Sequence, residues 1–269
     1  MKRFIFLVIL LVFVGQSWGQ GQPYRFGVSP QKSATQLAAS WSPFLKYLSE
    51  HSGVPLIFST APDSASFSSR LKAGEFDFCF VNPQQYLILH DSPGYEAFAR
   101  EKDRLLQGLL LTHKDSGINS LAELDGKELA FPSPTSFAAS VLPQAELRKA
   151  NIDFTPRYVG SHASVYLNVA KRLVVAGGGI TRSLELAPPE VRGELKILLK
   201  TAGYTPHAIA SHPRIDERTR SKLRAAISKL ENDPGSAHIL QSIGFKGIQP
   251  AQDSDWDGLR ELALPQPSK

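Results

Sequence analysis

The chain has 269 residues, 42% of them hydrophobic, and 30 Lys and Arg against 25 Asp and Glu give a formal net charge of +5. That suits one large or two modest domains with a real core. The basic residues are scattered, and Asp216 and Glu217 interrupt the densest cluster, Arg214 to Lys229. This argues against a nucleic-acid stripe and mildly favours an anionic ligand.

Met1-Lys2-Arg3 is a short positive start, Phe4 to Val14 is wholly apolar, and Ser17-Trp18-Gly19 places small residues where a signal peptidase reads. This order predicts a secretory signal over residues 1–19 and a mature chain from near Gln20. The apolar run is about eleven residues, short of the ~20 that a spanning helix needs. No Cys lies near the cleavage site, which argues against a lipoprotein anchor.

Strands and helices then alternate. Tyr24 to Ser29 reads as a strand, and Ser33-Ala34-Thr35-Gln36 has the form of a capping box. The helix that follows places Leu37, Trp41, Phe44, Leu45 and Leu48 on one face and stops before Gly53. Leu56 to Thr60 is a second strand, followed by a short helix to Leu71. Phe76 to Val81 is a third strand, with a helix from Pro83 to His90 and a strand from Gln107 to Thr112. The alternation restarts after Ile118: strands at Glu128 to Phe131, Thr155 to Gly160 and Leu173 to Ala176, helices at Ala138 to Lys149 and His162 to Lys171. Strands at Leu195 to Lys200 and His207 to Ser211 follow, and helices from Asp216, Pro234 and Ser254 close the chain. The pattern predicts an α/β fold with mostly parallel sheets in two lobes. The expected division is 22–112 plus 203–269 for a discontinuous first lobe and 113–202 for the second, with crossings near Leu110 to His113 and Leu199 to Tyr204.

No reaction is specified. The single cysteine, Cys79, sits in an apolar strand and reads as a small buried hydrophobe; no metal-ligand spacing occurs. Ser161 and His162 are adjacent, which does not make a nucleophile-base pair, and no G-x-S-x-G elbow is present. Gly177-Gly178-Gly179 lacks the G-x-G-x-x-G form and reads as a tight strand-to-helix turn where the backbone approaches something closely.

Anion-binding features are better represented. Ser133-Pro134-Thr135-Ser136-Phe137-Ala138 leaves a strand and enters a helix, where free N–H groups and hydroxyls form a cradle. His162 opens the next helix and Thr181-Arg182 the one after. All three lie at carboxyl ends of strands, where open α/β sheets bind ligands. The equivalent positions in the first lobe are Pro30-Gln31, Ser64 and Asn82-Pro83, which are also ordinary turn residues.

Several segments together resemble the periplasmic phosphate/phosphite/phosphonate-type solute-binding proteins of ABC transporters. They include Tyr24-Arg25-Phe26-Gly27-Val28, Trp41-Ser42-Pro43-Phe44-Leu45, Asn82-Pro83-Gln84-Gln85-Tyr86, Leu121-Ala122-Glu123-Leu124-Asp125-Gly126-Lys127 and Gly160-Ser161-His162. The resemblance implies the two-lobed type II periplasmic-binding fold, a ligand held between the lobes, no cofactor and no catalysis. It retains the family's His as His162 and only Ser136 of its Ser/Thr run. The positions of the carboxylates that hold an amine in phosphonate binders carry Arg182 and His207; Ala163 follows the His; Ser64 and Val81 stand where tyrosines line the first lobe. This disfavours an aminoalkylphosphonate and implies a compact oxyanion. The expected ligand set is Gln31, Ser64, Asn82, Tyr86, Thr135, Ser136, Phe137, His162 and Arg182. The expected partner of a monomeric periplasmic protein is an ABC permease. Because Asn82-Pro83-x-x-Tyr86 resembles sensor-type domains, a sensor-kinase ectodomain is the alternative.

Overall fold

The computed structural model describes residues 22–262; the expected signal segment and its cleavage point lie outside them. Among the described residues no helix is long and apolar enough to cross a membrane.

Two sheets organise the chain. The first has six strands in the order β11-β4-β10-β3-β1-β2. They are β1 (Tyr24–Val28), β2 (Leu56–Ser59), β3 (Phe78–Val81), β4 (Glu96–Glu101), β10 (Ala208–Ser211) and β11 (Ile248–Pro250). The second has the order β7-β6-β8-β5-β9. Its strands are β5 (Leu109–His113), β6 (Lys127–Phe131), β7 (Phe154–Tyr158), β8 (Ala176–Gly179) and β9 (Leu195–Lys200). Each sheet is mixed. β1 runs parallel to β2 and β3, and β6 to β7 and β8. β10, β11, β5 and β9 pair antiparallel, which corrects the expectation of mostly parallel sheets. β4 and β5 flank the first passage of the chain between sheets, and β9 and β10 the second. Antiparallel strands need no helical crossover, so the strand-helix rhythm does not register their direction.

Two expected crossings also shift. β5 and β9 pair with each other, so Leu110 to His113 and Leu199 lie inside the second sheet. The passages run just before Leu109 and just after Lys200, side by side. Leu106 and Tyr204 exchange backbone hydrogen bonds of 2.8 and 3.0 Å, and Thr201 N–H donates to Gly108 O at 3.0 Å.

Packing follows the two-residue period of the strands. Phe78 joins the cluster under α1 (Ala34–Ser52) and α8 (Glu217–Glu231), with Phe80 packed against it. Cys79 and Val81 point to the other face, into a cluster with Phe67, Leu71, Tyr86 and Trp256. That face carries α2 (Ser64–Lys72) and α3 (Pro83–Asp91). α1 starts with the expected capping box, Gln36 N–H donating to Ser33 Oγ at 3.3 Å. It ends at Gly53, whose φ of 69° a residue with a side chain adopts reluctantly.

In the second lobe, a π-helical turn over Phe137–Val141 leads into α4 (Leu142–Lys149), and α5 is His162–Ala170. The short α6 (Thr181–Glu185) and α7 (Pro189–Arg192) follow. The three glycines belong to β8 itself rather than to a turn after it. A Cβ on Gly178 would overlap the carbonyl oxygen of Ala139, and one on Gly179 would lie 2.6 Å from Tyr166 Oη. The run lets the π turn and α5 pack directly on the strand.

Candidate functional site

A cavity of about 350 Å³ opens at the carboxyl ends of β1 and β3, against the start of α1 and the turn after α9 (Ala237–Ser242). Arg182, at the start of α6, closes it from the second lobe, so the cavity spans the gap between the lobes. Exposed Lys32, Arg104 and Arg182 bring three cationic side chains to its wall. The single carboxylate in the wall, Glu101, is buried and accepts from Arg104 Nη1 at 2.9 Å. Pairing those two leaves Lys32 and Arg182 uncompensated, and a cleft lined by one sign of charge concentrates counter-ions.

His207 sits at the entry to β10, half-buried, with its ring stacked on Phe80 at 5.0 Å and an interplanar angle of 20°. Gln31 Nε2 lies 3.3 Å from His207 Nε2. An amide nitrogen only donates, so His207 Nε2 accepts and the proton of the neutral ring lies on Nδ1. Burial, with Arg104 nearby adding to it, pushes the pKa of His207 down to about 4. At neutral pH His207 is therefore a neutral hydrogen-bonding group among cations.

A second polar corner forms where α5 and α6 start. Ser161 Oγ caps α5 by accepting from Ser164 N–H at 3.0 Å. His162 Nδ1 lies 3.2 Å from Ser183 Oγ, which in turn donates to Ile180 O at 3.1 Å. Ser183 follows Arg182 in the chain, so this contact holds the two expected residues at one corner. Burial lowers the pKa of His162, which keeps its ring neutral at pH 7.

The other expected residues are distributed as follows. Gln31 and Arg182 line the cavity; Ser64, Asn82, Thr135, Ser136 and His162 do not. Asn82 caps α3, its Oδ1 accepting from Gln85 N–H at 2.8 Å. Ser64 is exposed at the start of α2, whose end is already occupied by a carboxylate: Asp63 Oδ1 accepts from Ser66 N–H at 2.8 Å. These bonds hold the Asp63 carboxyl below its usual range and set a negative charge where an anion would bind. Thr135 is exposed beside Ser133. Ser136 makes no side-chain capping bond, and its carbonyl receives both Ser140 N–H and Val141 N–H, which opens the π turn.

Two of the expected residues lie inward, away from the cavity wall. Tyr86 is fully buried, donates to Asp253 Oδ1 at 2.8 Å and packs on Trp256 at 4.7 Å between ring centroids, so its hydroxyl serves the core. Phe137 is buried in the same apolar cluster as Val141, Leu142, Leu106 and Tyr204, where the lobes meet. Both were read from a motif's position, and neither motif says which face of the helix a ring takes. The expected ligand set does not include Lys32, Arg104 or His207, all of which line the cavity. The pairing of Arg182 with His207 at the former carboxylate positions was the signal for His207.

Residues 26–256 match the family described as the periplasmic substrate-binding protein of phosphonate ABC transporters. The chain belongs to this family. It is 24% identical over 278 residues to the phosphate-import protein PhnD of Mycolicibacterium smegmatis, covering 87% of this chain and 82% of that one. A binding-protein component of a phosphonate ABC transporter from Pseudomonas aeruginosa superposes with a TM-score of 0.68 at 22% identity. That match covers 89% of this chain and 85% of the other. PhnD1 of Prochlorococcus marinus, solved with methylphosphonate, gives 0.70 at 18% identity over 88% and 96% of the two chains. The two-lobed type II periplasmic-binding architecture expected from the sequence is thereby established, as is the role of the family as the substrate-binding component of an ABC importer.

Proposed function

We propose that this family member holds a small oxyanion of the phosphate or phosphonate class in the cavity between its lobes and delivers it to its permease. The observation that carries the reading is the cavity wall: three cationic side chains drawn from both lobes, with one carboxylate that is itself paired. Arg182 from the second lobe, with His162 tethered beside it through Ser183, faces Gln31, Lys32, Arg104 and His207 from the first. Closure about the paired connecting segments at Leu106 and Tyr204 brings these groups onto a ligand.

The protein works as a binder rather than a catalyst. Cys79 is fully buried and burial raises its pKa, so it carries no thiolate. His207 receives an amide N–H rather than a nucleophile's hydroxyl. An exported, monomeric mature protein beginning near Gln20 fits this role. On this reading one lobe comprises residues 22 to about 105 with about 204 to 262, and the other the segment between them.

Thermal-shift screening of the mature protein tests the reading. Phosphate, phosphite and phosphonates are set against amino acids and sugars. A ligand at 100 times its Kd stabilises the native state by about 2.7 kcal/mol. Stabilisation by an amino acid or sugar with none by any oxyanion overturns it. Deleting the gene then separates the two possible outputs: loss of uptake supports delivery to a permease, whereas unchanged uptake with a lost transcriptional response assigns the protein to a sensor kinase.

A further inference from the structure

The cavity holds more than charge. Exposed Lys32, Arg104, Arg182, Gln31 and Gln241 stand at its edge, whereas Val28, Leu37, Trp41 and Phe245 lie buried beneath, with the Glu101 carboxylate paired to Arg104 beside them. Cations therefore form the rim and apolar side chains the floor. Before closure the cavity measures about 350 Å³, which leaves room beside an oxyanion for an organic substituent.

The floor also has a direction. Trp41 and Phe80 lie 4.7 Å apart, Phe80 and His207 5.0 Å, and Phe80 and Phe245 5.7 Å between ring centroids. Trp41, Phe80 and His207 thus form a ladder of rings rising from the core to the cavity. The ladder ends on an imidazole whose Nε2 is engaged by Gln31. Phe80 and Val81 point to opposite faces of the sheet, and the ladder follows Phe80 to the α1 face. The starts of α2 and α3 lie on the other face. The aromatic floor therefore lies beneath the cationic rim, apart from the starts of α2 and α3.

We propose that the ligand is an organic oxyanion carrying an aromatic ring, its charge held by the cationic rim and its ring laid on the Trp41–Phe80–His207 ladder. This rests on the oxyanion reading above and narrows it. The rim supplies charge-assisted hydrogen bonds to the anion, and the ladder supplies apolar contact and stacking. Inorganic phosphate would use the first and leave the floor wet.

Calorimetric titration of the mature protein with phosphate, methylphosphonate and phenylphosphonate tests this. Tryptophan fluorescence serves as a second readout, because a ring on the ladder perturbs Trp41, whereas Trp256 lies in the cluster on the opposite face of the sheet and contributes a constant background. Phenylphosphonate is expected to bind at least about tenfold more tightly than methylphosphonate, on the scale of one added aromatic contact plus its buried area. It should also change the Trp41 emission. His207→Gln keeps a polar group but removes the ring, and the phenyl-to-methyl affinity ratio is expected to fall toward one. Phosphate or methylphosphonate binding as tightly as phenylphosphonate overturns the inference and leaves the oxyanion reading standing. A phenyl preference unchanged in His207→Gln removes the ladder from the account and overturns the inference likewise. Absence of binding by all three overturns both.

Discussion

Gln31 and His207 are 176 positions apart in the chain, yet their side chains meet at 3.3 Å across the mouth of the cavity. The contact joins the loop after β1 to the start of β10, the strand by which the chain re-enters the first sheet. It fixes the tautomer of a histidine that burial keeps neutral, and so fixes what that histidine offers a ligand.

A pH dependence follows. In the unfolded chain a histidine titrates near 6.5, whereas His207 in the native protein titrates at about 4. Between these values the unfolded state binds the proton and the native state does not, so stability rises with pH. The contribution is fully present above about pH 6.5 and is lost as pH falls toward 4, with a slope of at most about 1.4 kcal/mol per unit. His207→Gln is expected to flatten this part of the stability curve, measured by urea titration at several pH values. An anion in the cavity favours the charged imidazole, so binding near pH 5 should take up a proton. Titration in buffers of different ionisation enthalpy measures that uptake, and a value of zero contradicts the placement of His207 at the ligand.

Tyr86 separates core from site. Tyr86→Phe removes the hydroxyl that donates to Asp253 and accepts from Ala97 N–H at 3.3 Å. A loss of about 1–3 kcal/mol in unfolding free energy is expected, with oxyanion affinity unchanged within twofold. A large affinity loss without a stability loss would return Tyr86 to the ligand.

The glycine run makes a third test. Gly178→Ala sets a Cβ against the Ala139 carbonyl and Phe131, and the π turn must shift to admit it. Overpacking of this kind destabilises by about 1–3 kcal/mol, which lowers Tm by several degrees. Gly126→Ala meets no neighbouring atom, and its effect comes only from a φ of +67°. The Tm of Gly178→Ala is expected to fall below that of Gly126→Ala; the reverse order contradicts the close packing of β8 against the π turn.

Much of the architecture is visible in local pattern. The capping box at Ser33, the apolar face from Leu37 to Leu48 and the stop at Gly53 are set by neighbours a few residues away, and the helix they predict is the one that forms. β4 is not visible in this way. Glu96-Ala97-Phe98-Ala99-Arg100-Glu101 is poor in β-branched residues, and it becomes a strand because β10 and β11 flank it from far along the chain. The candidate site divides similarly. Gln31 and Arg182 follow from their place at strand ends. Arg104 enters the site by reaching from a charged loop after β4, and its partner Glu101 is buried by tertiary packing. Tyr86 and Phe137 turn inward because the apolar clusters on the far face of the first sheet and between the lobes take their rings.

The central claim is that the lobes close on an oxyanion with Arg182 contributing from the second lobe. Its most direct test is a calorimetric titration of methylphosphonate into the wild-type protein and into Arg182→Glu. The side chain is exposed in the open cavity and makes no ion pair among the described residues, so the variant is expected to fold with unchanged Tm. A charge-assisted bond to the ligand contributes about 1.5–3 kcal/mol, so losing it weakens binding by at least about tenfold, and reversal of the charge adds to that loss. The account predicts saturable one-to-one binding by the wild type and none measurable in the variant. Equal affinity in both proteins would contradict it.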